Sequence, residues 1–434
     1  MSRPRSPESA PRRTRLLAGR STRAGKLGRL AVAVTGAALL VACGTPGAST
    51  TESTPAAVSG SAAASSGSAA TGEPIKVGIV TSLSGPLQSY GQMYLDAFTV
   101  GLDYATEGTG EVNGRKIEVA TADDAGDPAK AATAATDFIG QGYQVLAGSA
   151  SSGVALQVAP LAAENQVLFI SGPAATDALT GVNKYTFRSG RQSYQDVKTA
   201  ASFLSDLQGK KVTVFAQDNA FGQANVTAVT TVFGDGGATV TPLLVPATAT
   251  DLVPFAKQAA DSAADLLFVA WAGTNATQMW ESLNQQGAFS GSTVVTGLDI
   301  KPTHTVFTPV ASQLDLLAHY FDGATDNEAE QALVAGLAEK GSTQDLFSPD
   351  GFNAAQMVVR AAQESPDDVD GMITALEGWT FDGPKGAMEI RAEDHAMLQP
   401  MFQTKLVEAN GTLTPELVKA LDPQDTAPPA TPFQ

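Results

Sequence analysis

The chain is predicted to be an α/β protein of two doubly wound lobes, and three features predict it. From residue 75 onward, short apolar runs alternate with longer amphipathic segments. The runs are apolar throughout, as strands of parallel sheets covered on both faces require. The rhythm then restarts near Lys211, so there are two such series in a chain of 434 residues.

The first series opens with a strand at Ile75–Val80, a Gly/Ser/Pro loop and a helix from about Gly91 to Thr106. A strand follows at Ile117–Ala122. Asp127 and Pro128 then supply an N-cap and a first-turn proline to a helix ending near Gln141. Strands at Gln144–Ala147 and Val167–Ser171 flank a helix at Val154–Asn165. The second series has strands at Lys211–Ala216, Val240–Val245, Leu266–Ala270 and Val294–Thr296, with helices between. Open α/β sheets bind ligands at the carboxyl ends of their strands, so two facing lobes place a cleft between those ends.

The ends of the chain differ from this middle. An arginine-studded start, an apolar run from Leu30 to Val41 and small residues before Cys43 describe an export signal over 1–42. The run falls short of the ~20 apolar residues of a spanning helix. Leu40-Val-Ala-Cys43 resembles a bacterial lipobox, which implies cleavage before Cys43, its lipidation, and an exported protein anchored at the outer face of the cell membrane. Residues 43–74, the lipidated Cys43 and a Ser/Thr/Ala/Gly/Pro-rich linker, cannot bury a core and act as a tether reaching roughly 30 Å. Residues 421–434 are expected to be a loose tail.

Nine of the 27 basic residues and one of the 44 acidic residues lie in 1–42, leaving 18 against 43, a formal −25, in 43–434. Such a surface repels nucleic acid. Cys43 is the only cysteine, so the folded part has neither a disulfide nor thiol chemistry.

No catalytic constellation emerges. His304, His319 and His395 have no partners at metal-ligand spacing. Gly148-Ser-Ala-Ser-Ser-Gly153 has the wrong spacing for a nucleophile elbow, and phosphate-binding glycine loops do not occur. Asp123-Asp124, just past a strand, imitates a paired-carboxylate site but fits capping of a strand-end loop better. The chain is read as a non-enzyme with no cofactor and no metal. What remains is three polar, Gly-rich loops, Thr81–Pro86, Ser149–Gly153 and Ser171–Thr176, each between a strand and a helical segment. Backbone N–H groups and hydroxyls there suit an anion such as a carboxylate.

An ordered series of motifs then carries a resemblance over Ile75 to Val407. It comprises Ser82-Leu-Ser-Gly-Pro86 with Ser89-Tyr-Gly91, Val112-Asn-Gly-Arg-Lys-Ile117, Asp123-Asp-Ala-Gly-Asp-Pro128 and Ser151-Ser-Gly153. Pro173-Ala-Ala-Thr176, Phe187-Arg188, Ala220-Phe-Gly222, Gly297-Leu-Asp299 and Phe381-Asp-Gly-Pro-Lys-Gly386 complete it. The chain resembles the substrate-binding proteins of branched-chain amino acid (leucine/isoleucine/valine) type ABC transporters, the type I periplasmic binding proteins.

That resemblance implies two Rossmann-like lobes joined by three hinge crossovers, near Ser189–Ser193, near Phe321–Ala324 and within Thr380–Lys385. The N-terminal lobe would be 75–190 plus 325–380, and the C-terminal lobe 191–324 plus 381–420. It implies capture of an amino acid, or a related small amide or carboxylate, by hinge closure and delivery to an ABC permease. An extracellular sensor of the same fold, signalling through a separate partner, remains the alternative. Ser152, Ala174 and Thr176, with Ser151 beside them, match positions that hold the ligand carboxylate. Asp299 matches the acid that takes the ammonium. Tyr90 and Phe221 match aromatic positions lining the pocket, and Trp271 falls in a pocket-lining stretch.

Overall fold

The computed structural model describes residues 72–433 except Ser205 and Asn410. The expectations for the signal, for Cys43 and for the linker up to residue 71 lie outside the described residues.

Among the described residues, sixteen strands form three sheets. Strands β1 (Ile75–Thr81), β2 (Glu111–Val112), β3 (Arg115–Asp123), β4 (Val145–Gly148), β5 (Leu168–Ser171) and β6 (Thr186–Arg188) make the first, in the order β2-β3-β1-β4-β5-β6. Strands β7 (Lys211–Asp218), β8 (Thr239–Pro246), β9 (Leu266–Ala270), β10 (Thr293–Gly297) and β11 (Leu314–Ala318) belong to the second. Then come β12 (Thr380–Gly383), β13 (Gly386–Ile390) and β14 (Met397–Leu398), a small antiparallel sheet. Last, β15 (Met401–Ala409) and β16 (Thr412–Leu421) extend the second sheet, giving β16-β15-β11-β10-β9-β7-β8. The large sheets are mostly parallel, as the unbroken apolar runs predict. Each also has an antiparallel edge that those runs did not reveal: β2 on β3, and the β15–β16 hairpin on β11.

Helices α1 (Gln88–Ala105), α2 (Pro128–Gly140), α3 (Ser152–Glu164) and α4 (Ser193–Ala201) alternate with the early strands. Helices α5 (Ala220–Asp235), α6 (Val253–Asp261) and α7 (Ala276–Gln285) do so in the second lobe. Helices α8 (Glu328–Glu339), α9 (Ser348–Glu364), α10 (Val369–Leu376) and α11 (Pro423–Thr426) follow. The start of α2 forms as its sequence dictates: Asp127 accepts from the N–H groups of Ala129 and Lys130, and Pro128 sits in the first turn.

Both faces of the two large sheets are buried at their central strands, and successive strand residues supply opposite layers. Val77 and Ile79 pack with Phe98, Met357 and Val358, whereas Val80 joins Phe138, Val154 and Val158 on the other face. In the second sheet, Phe215 and Val269 face one layer while Val214 and Phe268 face the other. Each such side chain contributes about 1.5–3 kcal/mol by leaving water.

The strand order reverses between β1 and β4, and again between β7 and β9, so each lobe has a crevice at the carboxyl ends of those strands. The chain passes from β6 into α4, which packs on α5 and β11 of the second lobe. It returns between β11 and α8, which packs on α1.

The third crossing differs from expectation. Met388, Ile390 and Met397 share a core with Val77 and Ile79, so residues 381–398 belong to the first lobe rather than the second. The Gly383-Pro-Lys-Gly386 turn closes the β12–β13 hairpin instead of bridging lobes, and the crossing is the short Gln399-Pro400 link into β15. The 421–434 tail, expected to be loose, is also tied down. Arg391 donates to the carbonyl of Pro428 at 2.7 Å, Thr431 N–H donates to Asp394 at 3.0 Å, and the Phe433 ring lies 4.6 Å from that of His395.

Two buried ionisable groups flank the crossings. Arg188, at the end of β6, is 1% exposed and donates to the carbonyls of Ala174, Thr176 and Arg191 at 2.6, 2.9 and 2.9 Å. Burial lowers its pKa to about 10, so it stays charged at neutral pH. Glu330 accepts from the Tyr320 hydroxyl at 2.6 Å while its second oxygen is unpaired, and burial raises its pKa to about 7.

Arg188→Ala is expected to cost about 3–5 kcal/mol in denaturant unfolding, because three carbonyls lose one charged donor and facing acids lose their counter-ion. Glu330 has a folded pKa above its unfolded value. Its contribution is therefore fully present below about pH 4.5 and is lost as pH rises through about 7. Glu330→Gln should accordingly gain about 2 kcal/mol over the parent at pH 8 and little at pH 4.5.

Candidate functional site

The loops at the two strand-order reversals meet in a cavity of about 590 Å³. Its wall includes Tyr90 from the loop–helix junction after β1, Ser151–Gly153 after β4, Phe221 after β7 and Trp271 after β9, with Asp299 just beyond β10.

The two aromatic positions are set alike. Gly91 follows Tyr90, and a Cβ there would lie 2.0 Å from the carbonyl oxygen of Ser82; Gly222 follows Phe221, where the corresponding distance to the Gln217 oxygen is 1.8 Å. Only glycine lets each helix start this close to its own strand-end loop, which turns the preceding ring into the cavity.

Tyr90 and Asp299 meet directly. The Tyr90 hydroxyl donates to Asp299 Oδ1 at 2.8 Å, linking α1 of the first lobe to the β10 loop of the second. Oδ1 also accepts from Ile300 N–H at 2.8 Å, and the Asp299 carbonyl contacts His304 Nε2 at 2.7 Å. Burial raises the Asp299 pKa, opposed by the Ile300 N–H and the Tyr90 hydroxyl. Trp271 donates from Nε1 to Asn275 Oδ1 at 2.9 Å and stacks on Phe215, which fixes its ring in the wall.

Helix α3 begins at the cavity without a side-chain cap, and Ser152 and Gly153 of its first turn line the wall. The N–H groups of such a turn have no partner inside the helix and favour an anion. Ser152 Oγ accepts from Thr176 N–H at 3.3 Å.

Ala174 and Thr176 do not line the cavity, although their neighbours Pro173 and Ala175 do. Ala174 N–H donates to Ser149, its carbonyl is taken by Arg188, and its methyl is core. Thr176 is 3% exposed; its N–H and carbonyl are bonded to Ser152 and Arg188, and its hydroxyl accepts from Ala178 N–H at 3.4 Å. Their polar groups are thus committed within the protein. Sequence reasoning passed over Arg191, Gln217, His319 and Phe347, all of which line the cavity. Arg191 stands within the expected crossover at Ser189–Ser193, where a charged residue beside a cleft was a usable signal.

The Asp123-Asp124 pair holds its loops. Asp123 accepts from the N–H groups of Leu83, Ser84 and Ala125, and Asp124 from the Ser82 hydroxyl and Gly126 N–H. Among the described residues no cluster of three or more His, Cys, Asp or Glu could hold a metal, and no helix is long and apolar enough to cross a membrane.

A family model, that of the periplasmic binding proteins, matches residues 74–412. The Leu/Ile/Val-binding protein BraC3 of Rhizobium johnstonii is 24% identical over 332 residues, covering 70% of this chain and 83% of that one. The crystal structure of an ABC-type branched-chain amino acid transporter protein from Rhodopseudomonas palustris is 31% identical, with a TM-score of 0.70 over 83% of this chain and all of that one. A solute-binding protein of an R. palustris ABC transporter, solved with 4-hydroxybenzoate, shares the fold at 22% identity and a TM-score of 0.74, covering 80% and 97%. The chain therefore belongs to the periplasmic binding protein family, among the branched-chain amino acid type solute-binding proteins of ABC transporters.

Proposed function

We propose that this protein captures an amino acid outside the cytoplasm and delivers it to an ABC permease, held at the membrane by a lipid on Cys43. The observation that carries the reading is the polarity of one inter-lobe cavity. Uncapped N–H groups of α3 and the Ser151–Ser152 hydroxyls face it on the first lobe, Asp299 on the second, and apolar rings between them. A zwitterion needs donors for its carboxylate, an acid for its ammonium and apolar walls for its side chain. Ligand contacts to both lobes favour the closed arrangement and shift the hinge equilibrium toward it.

Tyr90, Phe221, Trp271 and Phe347 give the cavity more ring surface than a leucine side chain needs. This favours a second reading, an aromatic acid whose ring hydroxyl bonds the Tyr90–Asp299 pair, as the ligand of the 4-hydroxybenzoate-bound relative could. A thermal-shift panel of amino acids, hydroxybenzoates, amides and urea separates the two readings. Solute at 100 times Kd should add about 2.7 kcal/mol of stability.

For an α-amino ligand, Asp299→Ala is expected to weaken binding by about 2–4 kcal/mol in calorimetry, because the ammonium is left buried without a counter-ion. The raised Asp299 pKa sets a sign: affinity should fall on acidification, beginning above the ordinary aspartate range, as the carboxylate is protonated. Affinity unaffected by Asp299→Ala would remove the ammonium role.

A further inference from the structure

Arg191 is 7% exposed and lies in the crossing from β6 to α4, at the cavity wall. Its Nη1 donates to the Pro173 carbonyl at 2.6 Å and its Nε stands 3.3 Å from Asp196 Oδ2. Among the described residues, Nη2 has no hydrogen-bond partner. The guanidinium sits 5.7 Å from the centre of the Phe347 ring, and that ring packs 4.6 Å from Tyr90. One wall of the cavity therefore runs from Arg191 through Phe347 and Tyr90 to Asp299.

The segment 173–176 connects Arg191 to the start of α3, since Pro173 accepts from Arg191 and Thr176 N–H donates to Ser152. Two independent anion-favouring features thus line the same cavity. The charges behind them balance, with Arg188, Arg191 and Lys385 facing Asp177, Asp196 and Asp350. Of these six, only Arg191 and Asp196 line the cavity. The cluster holds the guanidinium at the cavity wall by Nη1 and Nε, with Nη2 uncommitted among the described residues. A buried guanidinium edge that is offered a neutral group in place of an anion loses a charge-assisted bond.

We infer that Arg191 and the first turn of α3 together hold a carboxylate of the solute, so that a negatively charged end is obligatory and shape-matched amides and alcohols are rejected. This rests on the solute-binding reading and adds its charge requirement. It applies equally to an amino acid and to an aromatic acid.

The test is calorimetry on the full chain with two probe pairs, L-leucine against L-leucinol and 4-hydroxybenzoate against 4-hydroxybenzamide. At least one acid should bind roughly 100-fold or more tightly than its partner without the carboxylate. Arg191→Met should weaken that acid at least about tenfold and leave the analogue without the carboxylate nearly unchanged. Arg191→Lys should keep the preference at reduced affinity, because an ammonium lacks the planar fork. Melting of each variant without solute checks its fold; if Arg191→Met does not fold, Arg191→Lys and the wild-type pairs decide. Full affinity for the acid in Arg191→Met overturns the role of Arg191 and leaves the solute-binding reading standing. Analogues without the carboxylate bound as tightly as the acids overturn the charge requirement. Failure of all four probes overturns the inference together with the two ligand classes it rests on.

Discussion

The arrangement of the cleft depends on one buried guanidinium. Arg188 closes the last strand of the first sheet and gathers the carbonyls of Ala174, Thr176 and Arg191 around itself. Burying a cation is costly unless it is hydrogen-bonded and its charge is matched, and here three carbonyls accept from its Nη groups and the nearby Asp177 carboxylate offsets its charge, while Nε has no partner among the described residues. The same contacts fix the loop after β5 and the crossing into the second lobe relative to each other. That fixed corner is what the Arg191 guanidinium and the start of α3 are built on.

The corner also explains the division of labour among the small polar loops. All three have the composition of an anion-binding loop, but composition does not say which polar groups are already committed. The loop after β5 is largely consumed in bracing Arg188 and Ser152. The loop after β4 spends the Ser151 N–H on the Ser149 hydroxyl but leads into a helix with no side-chain cap, whose first-turn N–H groups lie at the cavity. The first loop is held in shape by Asp123 and Asp124.

Legibility in the sequence follows from the range of each interaction. Strand cores such as Leu266–Ala270 and the cap at Asp127-Pro128 are local and were readable to within a residue or two. Strand β6 is three residues long, and β11 begins among polar neighbours, so neither stands out as an apolar run. The β12–β13 hairpin has a visible turn, but its membership in the first lobe is decided by Met388 and Ile390 meeting β1 some 300 residues away. Tyr90, Phe221, Trp271 and Asp299 reach the cavity because each follows the carboxyl end of a strand, a rule the alternating pattern does express. Phe347 and Arg191 arrive from a helix start and a crossing, positions to which that rule assigns no role.

The cross-lobe contacts divide into two kinds with different consequences for a hinge. Arg188 binds carbonyls of the first lobe and of the crossing itself, a set that rotation about the hinge need not disturb. The Tyr90 hydroxyl instead joins Asp299, and Gly273 N–H points to it at 3.4 Å, so these bonds exist only while the lobes are together. Part of the closing interaction is therefore supplied by the protein and is common to every solute. A solute shifts the equilibrium only by what it binds better in the closed arrangement than in the open one. Tyr90 and the Ile300 N–H already occupy one oxygen of Asp299, so on the proposed reading discrimination between solutes rests largely on the opposite end of the cavity. If Arg191 holds a carboxylate there, that charged end decides which molecules close the cleft.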